Sequence, residues 1–264
     1  MDEKLKLAVE LYKSGKTLKQ CLKEAHIEEQ RFRRYLIQES LLRSRSDQIR
    51  AGKSSAVIND HALDTLTPEA LYWIGFLVAD GHIEKDRPRI TTTLSMKDNE
   101  HLLKMGRFFG KGLVTRTVKG SGKSEGEEFS RLCFTSKPIY EKLKSLGLHS
   151  RKSWSLTLPD ELKYSRDFWR GVVDGDGWVL NKTVFTVGLC GTQETVSDFL
   201  KFINWAGVNS GTNARQVKNK GLWTCDLHHN VAKKVSDLLY KDSPVHLDRK
   251  YQIYQDWFGK SEIM

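Results

Sequence analysis

Apolar residues recur at helical spacing through residues 1–40 and predict three short helices. The first helix breaks at 14–16, and Thr17 can then cap the second by accepting a hydrogen bond from its first turn. A turn near His26 precedes the third helix, which we predict over 28–40. Its inner face carries Phe32, Leu36 and Ile37, and its outer face carries Arg31, Arg33 and Arg34.

Two short helices, a tight turn and a basic last helix are typical of a helix-turn-helix, in which the last helix enters the major groove of DNA. We therefore expect Arg31, Arg33 and Arg34 to contact DNA. The alternative is a generic three-helix cap whose arginine face is only solvated.

Residues 41–66 are predicted to be a linker, because they are poor in aromatic residues and place basic residues among Ser and Gly. They form a plain tether, or they become ordered along a phosphate backbone or in a minor groove when DNA binds. In the second case Arg43 and Arg45 are candidate DNA contacts.

From Thr67 onward the same order of elements occurs twice. TPEALYWIGFLVADGHI opens the first copy and SRDFWRGVVDGDGWV opens the second, with Gly75 aligned to Gly171. Each copy continues with a strand, a helix, a two-stranded stretch and another helix. Both copies close alike, with HSRKSW at 149–154 and HLDRKY at 246–251. Such a repeat predicts one pseudo-two-fold protein rather than two unrelated domains.

The predicted fold class is α+β, with two pseudo-symmetric αββαββα repeats that form a saddle, plus a small all-α N-terminal domain. The predicted boundaries are 1–40 for the helix-turn-helix-like domain, 41–66 for the basic linker, 67–158 for the first repeat and 159–264 for the second. We expect the chain to act as a monomer, because its internal symmetry replaces that of a dimer.

The helix that opens each repeat is suited to close packing. A Thr-Pro pair at 67–68 is a strong helix start, and the residues after it are apolar nearly all round, which predicts a buried helix. Gly75 and Ala79 share one face of this helix, and Gly171 and Gly175 share the same face of its counterpart. Small residues at this spacing let two helix backbones approach each other closely.

Both opening helices end in an Asp-Gly pair, at Asp80-Gly81 and Asp176-Gly177. We expect each glycine to adopt the left-handed conformation that ends many helices. An aspartate is unfavourable at a helix C-terminus, because it faces the negative end of the helix dipole. Two such carboxylates on a close-packed helix pair favour a cation between them.

The carbonyls of the last helical turns, notably those of Ala79 and Gly175, offer further hard oxygen ligands. Together with Asp80 and Asp176 they suit Mg²⁺, which prefers a few carboxylates with water and phosphate oxygens. Mn²⁺ or Ca²⁺ fits the same ligand set. The alternative is two ordinary Asp-Gly turns, but their recurrence at the same repeat position favours the metal site.

These helices also carry a resemblance to a known family. WIGFLVADG at 73–81 and WRGVVDGDG at 169–177 resemble the two signature helices of the single-chain LAGLIDADG homing endonucleases. The resemblance covers about residues 67–258, and it departs at Val78, where the family has an acid that Asp174 keeps in the second copy. It implies that Asp80 and Asp176 are the catalytic metal ligands, and that DNA is cut across the minor groove with staggered ends.

Metal-assisted phosphodiester hydrolysis also needs a basic residue near each site to help polarise water. Lys97, at the end of the strand predicted over 89–97, is the best candidate in the first repeat. Its counterpart falls near the neutral Gln193, with Lys182, which is also a candidate DNA contact, as a possible substitute.

The predicted strands alternate basic and hydroxyl residues with apolar ones, which places the polar set on one face of each sheet. A merely solvated sheet face would show the same alternation. The candidates for contacts in the major groove are Arg89, Thr91, Thr93, Ser95, Arg116, Arg131, Arg215 and Lys218. Lys152 and Lys250, in the two closing segments, are predicted to contact phosphates.

Composition agrees with a polyanionic partner. The 264 residues include 43 Lys and Arg against 33 Asp and Glu, a formal net charge of +10, and nucleic acid is the first expectation. No apolar run is long enough to span a membrane. The four cysteines contain no CxxC pair, so we expect a soluble protein in a reducing, intracellular setting, without a disulfide framework or zinc site.

The sequence thus predicts a site-specific, divalent-metal-dependent endonuclease that acts on double-stranded DNA. Two alternatives use the same scaffold. One is an RNA maturase that assists intron splicing, and the other is a DNA-binding regulator without catalysis.

Overall fold

Two units make up the chain, Met1–Ala56 and Val57–Met264, and each encloses its own hydrophobic core. Their structure is a computed structural model that describes residues 2–42, 56–148, 158–218 and 221–261. Arg43, Arg45, Lys152 and the closing segment 149–154 lie outside the described residues, so their DNA contacts stay predictions.

Three helices form the N-terminal unit: α1 (Glu3–Lys13), α2 (Leu18–Ala25) and α3 (Glu29–Gln38). The predicted cap of α2 is confirmed, since the Thr17 side chain accepts from the Gln20 N–H and the Gln20 side chain accepts from the Thr17 N–H. Phe32 and Leu36 are buried, whereas Ile37 is 62% exposed. The prediction that Ile37 faces inward is wrong, because it lies about 100° around the helix from Leu36.

The second unit, Val57–Met264, is called the repeat body below. A short strand, β1 (Val57–Ile58), precedes the first repeat. The elements of that repeat are α4 (Pro68–Asp80), β2 (Gly81–Ile83), β3 (Arg89–Ser95), α5 (Asn99–Phe109), β4 (Gly110–Lys111), β5 (Arg116–Lys119), β6 (Glu128–Thr135) and α6 (Lys137–Ser145).

The second repeat follows the same order. Its elements are α7 (Asp160–Lys163), α8 (Arg166–Asp176), β7 (Gly177–Asn181), β8 (Phe185–Gly191), α9 (Gln193–Trp205), β9 (Arg215–Gln216), β10 (Trp223–His228), α10 (His229–Tyr240) and α11 (Asp248–Ser261).

Each repeat contributes one four-stranded antiparallel sheet. The strand orders are β2-β3-β6-β5 and β7-β8-β10-β9, so strands at equivalent repeat positions occupy equivalent places. Helices pack against the apolar side of both sheets, and one continuous core joins the two repeats. The predicted α+β class with two αββαββα repeats is confirmed.

The predicted linker is too long at its C-terminal end. β1 pairs with β4 in antiparallel register, and the Ser136 hydroxyl donates to the Asp60 carboxylate at 2.6 Å. Leu63 is fully buried in the core of the repeat body. Residues 57–66 therefore belong to the folded repeat body, because a buried leucine and backbone pairing hold them there.

Candidate active site and nucleic-acid interface

The two opening helices, α4 and α8, touch backbone to backbone. A Cβ atom built on Gly75 would lie 2.0 Å from the carbonyl oxygen of Phe168. One built on Gly171 would lie 2.1 Å from the carbonyl oxygen of Tyr72, the residue at the same repeat position as Phe168. The contact is thus reciprocal, and only glycine fits at either position. The predicted close approach of the two helices is confirmed.

This packing brings the two helix ends together with their acids. A Cβ atom built on Gly175 would lie 2.3 Å from the Cβ of Ala79 and 3.1 Å from the Oδ2 of Asp80. The Asp80 carboxylate therefore lies beside the last turn of α8, which ends at Asp176. The negative ends of two helix dipoles and two carboxylates converge here, which favours a cation.

Gly81 and Gly177 do not adopt the left-handed conformation predicted for them. Their φ angles are −78° and −103°, since the chain passes directly from each helix into a strand. A Cβ atom built on Gly81 would lie 2.7 Å from the Leu77 carbonyl oxygen, and one built on Gly177 would lie 2.6 Å from the Gly188 carbonyl oxygen. Glycine is required at both positions for close approach rather than for backbone handedness.

Lys250 is part of this site, although the sequence predicts it as a phosphate contact. Its side chain is buried, and its ammonium donates to the carbonyl oxygens of Val173, Asp174 and Gly177 at 2.7, 2.9 and 2.6 Å. The prediction is wrong, because an ammonium committed to three buried carbonyls cannot also reach a phosphate on the surface. Lys250 instead caps the C-terminus of α8, next to Asp176.

The charge of Lys250 is balanced by the acids of the site. Burial lowers the pKa of the Lys250 ammonium to about 8, and the negative charges of Asp174, Asp80 and Asp176 oppose that fall. The ammonium is therefore mainly charged at pH 7. The carboxylates of Asp80 and Asp176 both favour the charged form of this ammonium, which hydrogen-bonds at the end of α8.

Asp174, beside the catalytic candidate Asp176, has a structural environment. It is buried, and its carboxylate accepts from the Tyr72 hydroxyl, the Tyr240 hydroxyl and the Leu247 N–H at 2.8, 2.7 and 2.8 Å. Burial, followed by the charge of Asp174, raises the pKa of both tyrosines well above its usual value, so both stay donors. This carboxylate joins α4, α8, α10 and the segment before α11.

We expect Asp174→Val, which copies Val78 of the first repeat, to lower the free energy of unfolding by about 3 kcal/mol or more. The reason is that three buried donors would lose their acceptor, at roughly 1–3 kcal/mol each. Asp174→Asn keeps one acceptor oxygen and should cost less. Denaturant unfolding of both variants measures this order, and equal stability of Asp174→Val and the unmodified chain would contradict it.

Asp80 also lines an open cavity on the outer face of the first sheet. The other residues of its lining are His82, Glu84, Arg89, Thr91, Thr93, Arg131 and Cys133. The Arg131 Nε donates to the Thr93 hydroxyl at 3.0 Å, and Arg89 forms an ion pair with Glu84 at 3.2 Å. The structure thus places the predicted basic and hydroxyl residues of β3 and β6 around the first acid.

The alternation predicted for β3 is present in the structure. Ile90 and Thr92 are buried, while Arg89 is exposed and Thr91 and Thr93 are partly exposed. Arg116 is exposed and pairs across strands with Arg131, and Ser95 continues the same face. In the second repeat, Arg215 is exposed in β9 and Lys218 is exposed in the turn that follows.

The two lysines predicted to assist catalysis, Lys97 and Lys182, are not among the residues that line the cavity beside Asp80. Lys97 is in a short 3₁₀ turn after β3, and it lines a different cavity, with Asp248 and Arg249 of α11. Lys182 follows the last residue of β7, so the whole strand separates it from Asp176, roughly 15 Å or more along the chain. Neither lysine lines the cavity that Asp80 lines, so their role in catalysis stays a prediction.

The arginines of α3 are exposed, but two of them have acidic partners. Arg31 forms an ion pair with Asp2 at 2.8 Å, and Arg33 pairs with Glu29 at 2.7 Å. Arg34 is exposed on the same helix. Surface pairs of this kind contribute little to stability, so the contact of these arginines with DNA stays a prediction.

The residues at the helix ends fit a divalent cation that is completed by its substrate. Within the described ranges, no group of three or more His, Cys, Asp or Glu side chains converges on one point. Two carboxylates, together with the carbonyls of Ala79 and Gly175, would give such a cation an incomplete shell of hard oxygens. Mg²⁺ keeps several coordination positions for water and phosphate oxygens, so it does not need a complete shell of protein ligands.

No sequence-family model matches the chain, and no curated protein matches it. Several solved structures do match the chain. The homing endonuclease I-WcaI, solved bound to its DNA recognition sequence, matches with a TM-score of 0.53 and 12% identity, over 71% of this chain and 87% of its own. The repeat body has the fold of the LAGLIDADG homing endonucleases. Its paired sheets and central helices correspond to that fold.

Two further structures have lower scores. I-SmaMI, solved on its uncleaved DNA target in the presence of calcium ions, gives a TM-score of 0.45 at 14% identity, over 76% of this chain and 92% of its own. The LAGLIDADG meganuclease I-AabMI, bound to uncleaved DNA, gives 0.44 at 13% identity, over 75% and 91%. In the described part of the chain, no helix is both long and apolar enough to cross a membrane.

Proposed function

We propose that the chain is a site-specific endonuclease that makes a staggered double-strand break in DNA with the help of a divalent cation. The observation that carries the proposal is the meeting of two helix C-termini, each ending in an aspartate, on a backbone-to-backbone helix pair. Two equivalent acids on a pseudo-two-fold axis suit two equivalent cuts, one in each strand of a duplex.

Asp80 and Asp176 would hold the cation, assisted by the carbonyls of Ala79 and Gly175. When bound, Mg²⁺ supplies an activated water and stabilises the charge on the attacked phosphate and the leaving oxygen. The two carboxylates are positioned in advance by the helix pair, so little reorganisation is needed when DNA binds. Lys250 acts as a positioning residue, since it holds the carbonyls that flank Asp176.

The outer faces of the two sheets would orient the duplex. Arg89, Arg116 and Arg131 are exposed on the first sheet, next to the cavity that Asp80 lines. Guanidinium groups suit the guanine edge in the major groove, and threonine hydroxyls accept or donate to several bases. The two sheets together would span a site on both sides of the acids.

The N-terminal unit is proposed to add DNA contacts outside that span. Its α2–turn–α3 arrangement agrees with a helix-turn-helix, and Arg31, Arg33 and Arg34 lie on exposed positions of α3. We expect deletion of residues 1–56 to weaken DNA binding and to reduce the salt dependence of the binding constant, because fewer phosphates are neutralised. Titrations of the same duplex at several salt concentrations measure this. If the slope of the binding constant against salt concentration does not change, the N-terminal unit is a structural cap that does not contact DNA.

Selection from a randomised duplex library tests the proposed function. The chain is incubated with the library with Mg²⁺ or with a chelator, and cleaved and bound duplexes are sequenced separately. We expect one enriched sequence in both pools, with cleavage only when Mg²⁺ is present. Specific binding without cleavage would indicate a DNA-binding regulator, and specific binding of structured RNA alone would indicate a maturase.

A further inference from the structure

The outer faces of the two sheets differ in chemistry. The first-sheet face is defined by Arg89, Thr91, Thr93, Ser95, Arg116 and Arg131. The second-sheet face is defined by Trp178, Leu180, Thr186, Arg215, Asp226 and His228. The first is built of guanidinium and hydroxyl groups, whereas the second contains large apolar groups and acceptors.

Both faces adjoin an acid of the candidate active site. Asp80 lines one cavity together with Arg89, Thr93 and Arg131 of the first-sheet face. On the second sheet, Cys190 lies on the same side of β8 as Thr186, and its thiol donates to the Asp176 carbonyl oxygen at 3.1 Å. A duplex that reaches both acids therefore reaches both faces.

Equivalent repeat positions carry different residues beside the two acids. His82 and Glu84 follow Asp80 at intervals of two residues, and both are polar. Trp178 and Leu180 hold the equivalent positions after Asp176, and both are apolar. The two halves therefore offer different groups to the base pairs nearest the cuts.

Trp178 lies flat on its own sheet. Its cross-strand neighbour is Gly188, and a Cβ atom built there would lie 2.2 Å from the Cε2 of the Trp178 ring. Any side chain at Gly188 would displace the ring from the strand. The glycine thus keeps an indole face on the outer side of the sheet, with Leu180, which is 38% exposed, two residues further along β7.

His228 presents a hydrogen-bond acceptor next to these apolar groups. The Thr186 hydroxyl donates to the Val184 carbonyl oxygen at 3.2 Å, so it accepts from the His228 Nδ1–H at 3.1 Å. In this tautomer of the imidazole, Nε2 is the nitrogen that accepts. His228 is exposed at the end of β10, so this acceptor faces outward.

The one arginine of the second-sheet face is occupied by an acid. Arg215 forms an ion pair with the carboxylate of Asp226. On the first-sheet face, Arg89 is paired in the same way with Glu84, but Arg131 donates only to the Thr93 hydroxyl, and Arg116 has no acidic partner among the described residues. Guanidinium donors are thus concentrated on the first sheet.

We propose that the chain reads an asymmetric target, with guanines against the first-sheet face and A·T pairs against the second-sheet face. Arginine donors fit the O6 and N7 acceptors of guanine. The apolar surfaces of Trp178 and Leu180 fit the thymine methyl group, and the His228 Nε2 accepts from the adenine N6 amino group. This inference rests on the proposed function, since it assumes that both faces lie in the major groove.

The test is a binding selection from a randomised duplex library, carried out with a chelator so that no cleavage is needed. We expect a consensus with guanine-containing pairs in one half and A·T pairs in the other. Arg131→Ala should relax the preference for guanine by about tenfold or more, only in the first half. Leu180→Ser and Trp178→Ala should relax base preference only in the A·T half.

Trp205→Ala is the matched control, because Trp205 is 63% exposed at the end of α9, a helix on the core side of the second sheet. It should leave the consensus unchanged. If Trp178→Ala fails to fold, Leu180→Ser still tests the second half, since its side chain lies at the exposed end of β7. A consensus with the same base composition in both halves, or one that Leu180→Ser leaves unchanged, would overturn the inference. A library without any enriched sequence would overturn the proposed function together with it.

Discussion

Asp80→Asn and Asp176→Asn are each expected to reduce double-strand cleavage by more than about 100-fold while leaving DNA affinity within a few-fold. Each substitution removes a charged ligand from the proposed cation site, and even residues that only support metal ligands cost about 10- to 100-fold when changed. The side chains keep nearly the same volume, so the α4–α8 helix pair should remain intact. Supercoiled plasmid bearing the selected site distinguishes uncut, nicked and linear products.

Asp64→Asn is the control for this experiment, because Asp64 is an exposed acid of the repeat body and the change in charge is the same. It should cut normally. Nicked circles from one or both single variants would indicate that the two acids serve separate strands. Linear product from Asp80→Asn or Asp176→Asn at the normal rate would contradict the assignment of the acids.

Gly171→Ala is expected to destabilise the repeat body by about 3 kcal/mol or more, or to prevent folding. The added methyl group would overlap the Tyr72 carbonyl oxygen at 2.1 Å, and a backbone oxygen in a packed helix cannot move aside. Gly75→Ala should do the same against the Phe168 carbonyl oxygen at 2.0 Å. Denaturant unfolding of the purified variants measures the loss.

Gly106→Ala is the matched control, since Gly106 lies within α5 and a Cβ atom there would meet its nearest neighbour, the Leu113 Cβ, at 3.4 Å. We expect no loss, or a gain of up to about 1 kcal/mol from helix propensity. Equal effects of Gly171→Ala and Gly106→Ala would show that the helix pair is more loosely packed than the structure indicates.

The centre of the fold could be predicted from the sequence because its determinants are local. The Thr-Pro start at 67–68, the small residues on one helix face and the Asp-Gly end all occur within fifteen residues. The small residues and the Asp-Gly end recur in the second repeat, where Ser165 takes the place of Thr67. Thr67 does cap α4 by accepting from the Ala70 N–H. A repeat then implies a partner for each helix, so the close pair follows from its residues alone.

Lys250 could not be placed in this way, because its surroundings come from tertiary packing. In the sequence it is one lysine in a polar closing segment, HLDRKY. Only the packing of α11 near α8 places its ammonium on the carbonyls of Val173, Asp174 and Gly177. A signal was present in the recurrence of Arg-Lys in both closing segments, but recurrence does not separate a buried cap from a phosphate contact.

Strand register explains the other places where the structure adds to the prediction from sequence. Lys97 is close in sequence to the end of β3, but β2 pairs with β3 so that Gly81 lies opposite Thr92. The acid therefore meets the middle of β3, and Lys97 lies beyond it. Trp178 and Gly188 are likewise neighbours only through strand register, which cannot be read from the sequence. Side chains that meet across strands or between distant helices need the structure.

Mapping the cut positions on both strands of the selected duplex tests whether Asp80 and Asp176 form two equivalent cleavage sites. With Mg²⁺, the unmodified chain should make one cut in each strand, offset across the minor groove and centred between the halves that face the two sheets. The pseudo-two-fold placement of Asp80 and Asp176 requires this symmetry. No cleavage with Mg²⁺, or cuts scattered along the duplex, would contradict the account.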